Sequence, residues 1–279
     1  MKHILSILFL ISMSLYSFAN IPANNSYFHN THETKLENDK KNTFIVTAKN
    51  GIIIRKNPSL ESKRIGLIPF GSKINISEKT NEKLSIHENG KEIKGNWVKI
   101  KTHNYPYNYA EEAEYGYVFD GFLENEDVFI QDLENLMKAY PEFNTYEIDR
   151  NSNPFILNGD FFGDNVNDLV IKIKDSKLIT LGFINYKQEN KSEAVIITKN
   201  NLADTELYFG WTEQFETVSS NINLWPEDEE MSNLNVDFNH PANKKLVLGY
   251  NAIFGHNLES CGGGYIFWYK NKFHTITGD

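Results

Sequence analysis

Cys261 is the only cysteine among 279 residues, and His256 and His274 flank it in sequence. A thiol nucleophile needs a base and a lowered pKa. The local sequence does not favour that use. Ser260-Cys261-Gly262-Gly263-Gly264 runs into the strand-like Tyr265-Ile266-Phe267-Trp268, and a glycine run before a strand reads as a loop or bulge. A packed, unreactive cysteine is the expectation. The glycines do not form a phosphate loop either, since no Lys-Ser/Thr follows. His87, His103 and His240 lack metal-ligand spacing. Glu111-Glu112 and Asp228-Glu229-Glu230 lie in loops that read as solvated, so no acid–base role falls to them. The chain is therefore expected not to be an enzyme.

Composition narrows the partners. The formal net charge of −9 disfavours nucleic acid and anionic membrane, both of which call for fields of Lys and Arg. A lone cysteine forms no internal disulfide, so stability must come from packed cores. Residues 1–19 read as a secretory signal peptide. Met1-Lys2-His3 is basic, Ile4 to Tyr16 is mostly apolar, and Ser17-Phe18-Ala19 places small residues three and one before a cut. The apolar run is shorter than a membrane span requires. A periplasmic or secreted location is expected. Residues 20–42 are polar and read as a disordered leader.

The elements that must position any site are mostly strands. Over residues 43–124, Thr43 to Ala48, Ile52 to Ile54, Lys63 to Ile68 and Lys73 to Glu78 are predicted strands. So are Leu84 to Glu88, Lys91 to Ile93, Trp97 to Ile100 and Gly116 to Phe119. Asn50-Gly51 and Asn89-Gly90 supply turns, and Pro58 ends a strand because proline cannot donate to a ladder. Asn125 can cap one helix, in which Phe129, Leu133, Leu136, Met137 and Tyr140 form a single apolar stripe stopped by Pro141. Beyond residue 144 the chain is strand-rich again, with Asp168 to Lys174 alternating in polarity. Leu178 to Tyr186, Ala194 to Thr198, Leu207 to Trp211, Leu246 to Phe254 and Tyr265 to Tyr269 follow. The expected fold class is mainly β: a small barrel over 43–124, then a helix with a second β-rich (α+β) domain over 125–279.

The pieces Gly51-Ile52-Ile53-Ile54-Arg55-Lys56-Asn57-Pro58, Ile65-Gly66, Pro69-Phe70-Gly71-Ser72-Lys73, Gly95-Asn96-Trp97-Val98-Lys99-Ile100 and Tyr115-Gly116-Tyr117-Val118-Phe119 together resemble a bacterial SH3-type (SH3b) domain. The resemblance implies a small barrel that binds and does not catalyse. Its ligand would be a peptide, either a peptidoglycan stem peptide or a segment of an envelope protein. Such barrels recognise ligands with aromatics held between loops. Trp97, Tyr105, Tyr107 and Tyr115 are the candidate ligand-binding residues. The competing reading makes Trp97 and Tyr117 core, with the loop tyrosines covering an edge. Cell-wall cysteine peptidases often carry SH3b domains, which keeps a peptidase using Cys261 as an alternative. An inhibitor or immunity-type partner binder is another.

A second resemblance is local. Gly159-Asp160-Phe161-Phe162-Gly163-Asp164-Asn165-Val166-Asn167-Asp168-Leu169 is similar to the aspartate loop of FG-GAP or VCBS-type repeats. That family implies Ca²⁺, held here by Asp160, Asp164, Asp168 and the Val166 carbonyl. Two positions depart from the family: Phe162 replaces a ligand Asn, and Asn165 replaces the turn glycine, which Asn can mimic. The alternative is a turn whose aspartates cap backbone N–H groups.

Overall fold

The computed structural model describes residues 43–88, 90–102, 113–187, 192–198, 212–224, 246–257 and 263–278. Residues 1–42 with the expected signal and leader, Tyr105, Tyr107, His103, Glu111, Glu112, residues 207–211, the acidic run at 227–230, His240 and Cys261 all lie outside them. The described residues are mainly β with one α-helix, and none of their helices is long and apolar enough to cross a membrane.

The chain divides into two compact units. The first is built from residues up to Leu133, apart from 48–51 and 69–72; the second takes those two turns and everything from Glu134 onward.

In the first unit, β1 (Thr43–Val46), β2 (Ile52–Arg55), β3 (Arg64–Ile68), β4 (Lys73–Glu88), β5 (Lys91–Lys101), β6 (Tyr115–Phe119) and β7 (Leu123–Asn125) form one sheet. Their order is β3-β2-β6-β5-β4-β1-β7. Short apolar strands broken by turn residues give this curled arrangement. Ile45, Ile54, Ile68, Val98, Ile100 and Val118 are wholly buried. β4 and β5 are longer than the sequence suggests. Register shifts at Ile76/Glu78 and Lys79/Lys83 carry β4 through polar residues without ending it. The Thr80 hydroxyl helps there, donating to the Trp97 carbonyl at 2.6 Å. Glu88 pairs with Lys91, and Gly90 before it takes φ +77°.

α1 (Glu126–Met137) spans the boundary between the units. Asn125 caps it as expected, its Oδ1 accepting from the Asp127 N–H at 3.1 Å. Phe129, Leu133 and Met137 are buried. Tyr140 falls beyond the helix, before a 3-10 turn that Pro141 opens.

The second unit holds β8 (Glu147–Ile148), β9 (Ile156–Gly159), β10 (Asp168–Lys174), β11 (Ile179–Tyr186) and β12 (Ser192–Ile196) in one sheet. A second sheet contains β13 (Gln214–Val218), β16 (Ala252–His256), β17 (Gly263–Tyr269) and β18 (Lys272–Gly278). β14 (Ile222–Leu224) and β15 (Leu246–Leu248) form a separate hairpin. Leu157, Val170 and Phe183 of the first sheet pack with Phe215, Ile253, Ile266 and Phe273 of the second. The hairpin's Leu224, Leu246 and Leu248 cover the second sheet's other face through Ala252, Phe267 and Ile276. Among the described residues, the two sheets and the hairpin thus enclose two hydrophobic clusters. The alternation expected for β10 does not divide it into a buried and a wet face, since six of its seven residues are buried. β10 is flanked by β11 on one side and by β8 and β9 on the other, and both its faces are covered. Lys172 is consequently inside, 3% exposed.

Candidate functional site

The first unit offers a site on one face of β5 and β6. Cross-strand partners in an antiparallel ladder share a face, and side chains alternate along each strand. Trp97 pairs with Phe119, Lys99 with Tyr117 and Lys101 with Tyr115. These six residues therefore share one face, while Val98, Ile100 and Val118 point into the core at 0% exposure. The face changes character along its length. Trp97 and Phe119 are buried, at 4% and 5%. Tyr117 and Tyr115 are half-buried, and Lys101 is exposed. The Lys99 ammonium stands 4.4 Å from the Tyr115 ring centroid, a cation–π contact.

Of the predicted binding residues, the structure therefore places Trp97 and Tyr115 on one face, two rows apart. Trp97 is packed, and only Tyr115 presents ring surface. Lys99, Lys101 and Tyr117 complete the face and were missed as site residues. Their signal was in the sequence. Trp97-Val98-Lys99-Ile100-Lys101 and Tyr115-Gly116-Tyr117 alternate in step, but only the register shows that the two alternations share a side.

The second candidate, the β9–β10 loop, is folded around its aspartates. Asp160 Oδ1 accepts from the N–H groups of Gly163 at 2.7 Å and Asp164 at 3.2 Å, and its Oδ2 accepts from Asn165 at 2.9 Å. Asp164 Oδ1 accepts from the Val166 N–H at 2.9 Å. Asp168 is fully buried and accepts from Phe161 at 2.8 Å and Tyr186 at 3.2 Å. Asn165 takes the left-handed conformation at φ +63°, as the turn requires.

These residues form a turn whose aspartates cap backbone N–H groups. Ca²⁺ takes six to eight oxygens. Here the carboxylates serve backbone donors, and Phe162 stands where a further oxygen ligand would be. Its ring lies 5.1 Å from Trp268, 5.6 Å from Phe183 and 6.0 Å from Phe273, so it belongs to the core. Among the described residues, no three His, Cys, Asp or Glu side chains are grouped to hold a metal ion. Burial pushes the Asp168 pKa up to about 7, with Asp164 and Asp160 adding to the rise and the two N–H donors opposing it.

The histidines considered with Cys261 sit on the second sheet. His256 stacks on Phe254, with ring centroids 5.4 Å apart. His274 is buried, and its Nε2 lies 3.1 Å from the Tyr269 carbonyl oxygen.

A mainly β chain whose first unit is a small curled sheet with an aromatic outer face is the architecture of an SH3-like module. Residues 50–124, the stretch from the β1–β2 turn to β7, match the family model of the bacterial SH3 domain. No curated protein and no solved structure matches the chain.

Proposed function

We propose that this chain is an exported, non-enzymatic binding protein of the bacterial cell envelope, whose SH3-like unit recognises a peptide. The observation that carries this reading is the bacterial SH3 match over residues 50–124, coinciding with the sheet that bears the Tyr115–Tyr117 face. Half-buried tyrosines suit peptide contact because each ring offers a large, rigid area at low entropic cost. The ligand proposed is a peptidoglycan stem peptide. The second unit serves as a further interaction module.

The test is retention on purified sacculi. The full mature chain should sediment with them, and a Tyr115→Ala, Tyr117→Ala double variant should sediment less. A wild-type chain that stays in the supernatant overturns the peptidoglycan assignment.

A further inference from the structure

The strand register aligns more than aromatics. Arg64 on β3 lies opposite Arg55 on β2, and Arg55 lies opposite Tyr117 on β6. Tyr117 lies opposite Lys99 on β5, and Lys99 opposite Glu78 on β4. One row across five strands thus carries three cations, a tyrosine and a single carboxylate. Lys101, opposite Tyr115, adds a fourth cation two residues along the same face.

Such a row is unfavourable by itself. Like charges directly opposite each other destabilise a sheet, and Arg55 and Arg64 form such a pair. Burial pulls the Arg55 pKa down, Arg64 pulls it down further, and Glu61 acts against both. The Arg55 guanidinium donates to the Ser62 carbonyl at 2.7 Å, which is a neutral partner. Glu78 approaches Lys99 only to 3.8 Å and is 65% exposed, so it answers little of the charge. The concentration of cations is also out of keeping with a chain of net charge −9.

We infer that this row is the docking surface for an acidic peptide segment, extended across the strands. The inference rests on the peptide-binding reading and adds the sign of the ligand's charge. The exposed Arg64 and Lys101 and the half-exposed Lys99 take the peptide's carboxylates. Tyr115 and Tyr117 support the chain between them. Strands lie about 4.8 Å apart, so β3 to β5 spans about 14 Å, the length of about four extended residues. Carboxylates three to four residues apart therefore fit the row.

The experiment is a titration of the full chain with a short peptide carrying glutamates at that spacing, followed by calorimetry, beside the same peptide with glutamine for glutamate. The glutamate peptide should bind saturably, the glutamine peptide at least about tenfold more weakly. The affinity should fall as salt rises. Arg64→Glu and Lys101→Glu, both at exposed positions, should each weaken glutamate binding with an unchanged circular dichroism spectrum. Equal binding of the two peptides, no binding of either, or charge reversal without effect overturns the inference. Binding of polyphosphate in place of the peptide overturns it too, because it would make the row a phosphate site. The two readings fail separately. Wild-type retention on sacculi that survives both charge reversals removes this row and leaves the function. Glutamate binding without sacculus retention does the reverse.

Discussion

In the first unit Lys99, Lys101 and Arg64 stand on the outer face of a sheet, in reach of solvent. In the second, Lys172 stands between strands, 3% exposed. Its ammonium is answered there on three sides. Asp149 Oδ2 lies 3.3 Å away, the Ser152 hydroxyl 2.6 Å and the Thr212 carbonyl 2.9 Å, and the Phe215 ring centroid lies at 5.3 Å. Asp168 is likewise enclosed and held by backbone donors. Lys172 and Asp168 of the second unit serve its own architecture; Lys99, Lys101 and Arg64 of the first face outward. Buried polar groups are mostly satisfied, and the bonds that Lys172 and Asp168 make record folding. Lys99 meets only a largely exposed carboxylate, Glu78 at 3.8 Å, and the Tyr115 ring among the described residues, which leaves its charge open to a ligand.

The largest effect should come from breaking the buried pair. Lys172→Ala leaves the buried Asp149 with the partly exposed Lys174, 4.0 Å away, and is expected to cost about 3–5 kcal/mol. Lys172→Met with Asp149→Leu should cost clearly less, because neither charge of the pair remains. Urea unfolding of wild type, Lys172→Met, Asp149→Leu and the double variant as a double-mutant cycle, beside Lys172→Ala, measures both. If Lys172→Ala left the midpoint unchanged, the second unit's charges would be as superficial as the first unit's.

Next comes Phe162. Phe162→Ala removes a ring packed against Trp268, Phe183 and Phe273, and a loss of about 2–4 kcal/mol is expected for a partly buried aromatic. Phe162→Asn restores the oxygen ligand of the calcium-loop family at the same position. It should be no more stable than the alanine variant, and calcium should not raise its melting temperature. A calcium-dependent rise would show that the loop retains a metal site despite its backbone bonds.

Asp168 has a pH-dependent effect. Its folded pKa of about 7 lies above its ordinary value of 3.8, with burial as the main cause. Between those values the folded state binds more protons than the unfolded state. Stability should therefore fall as pH rises from about 4 to 7, by at most ~1.4 kcal/mol per pH unit for this group. Glu124 in the first unit is also raised to about 7, by burial and then by Asp132, and acts in the same direction. Asp168→Asn should flatten the slope. It should also lower stability by about 1–3 kcal/mol, because one of the two N–H donors then faces an amide NH₂. Thermal melts at pH 5 and pH 8 for both proteins test it; an unaltered difference between the two pH values would place the titration elsewhere.

The first unit was largely legible in the sequence because its signals are local. Asn50-Gly51, Pro58 and the Pro69-Phe70-Gly71 corner are punctuation that fixes the strand ends whatever packs on them. Asn125 and the 129–137 stripe define α1 in the same way. The second unit hid more. β8, β9, β13 and β14 are two to five residues long, too short for a period to show. Lys172 reads as a solvent-facing residue because an alternating pattern cannot reveal that both faces are covered. Phe162 reads as a lost ligand, since its true partners, Phe183, Trp268 and Phe273, lie 21 to 111 residues further along. The outer face of β5 and β6 falls between these cases. Its residues were visible, but their common side depends on a register that joins segments across the insertion at 102–114.

The smallest effect is the most discriminating. Arg64→Gln removes one of two opposed guanidiniums without touching the core. At most a few tenths of a kcal/mol should change in the stability of the first unit, and the change should be a gain, because like-charge opposition in a sheet is relieved. The same substitution should weaken binding of the glutamate peptide. A variant that is slightly more stable and binds less tightly is the signature of a charge kept for a partner. Lys172 should behave in the opposite manner, since its removal costs folding outright. Urea midpoints and calorimetric affinities measured on the same preparation decide the matter. If Arg64→Gln instead lowered stability by a kcal/mol or more, Arg64 would be a structural residue, and the contrast between an outward-facing first unit and an inward-facing second would fail where it is sharpest.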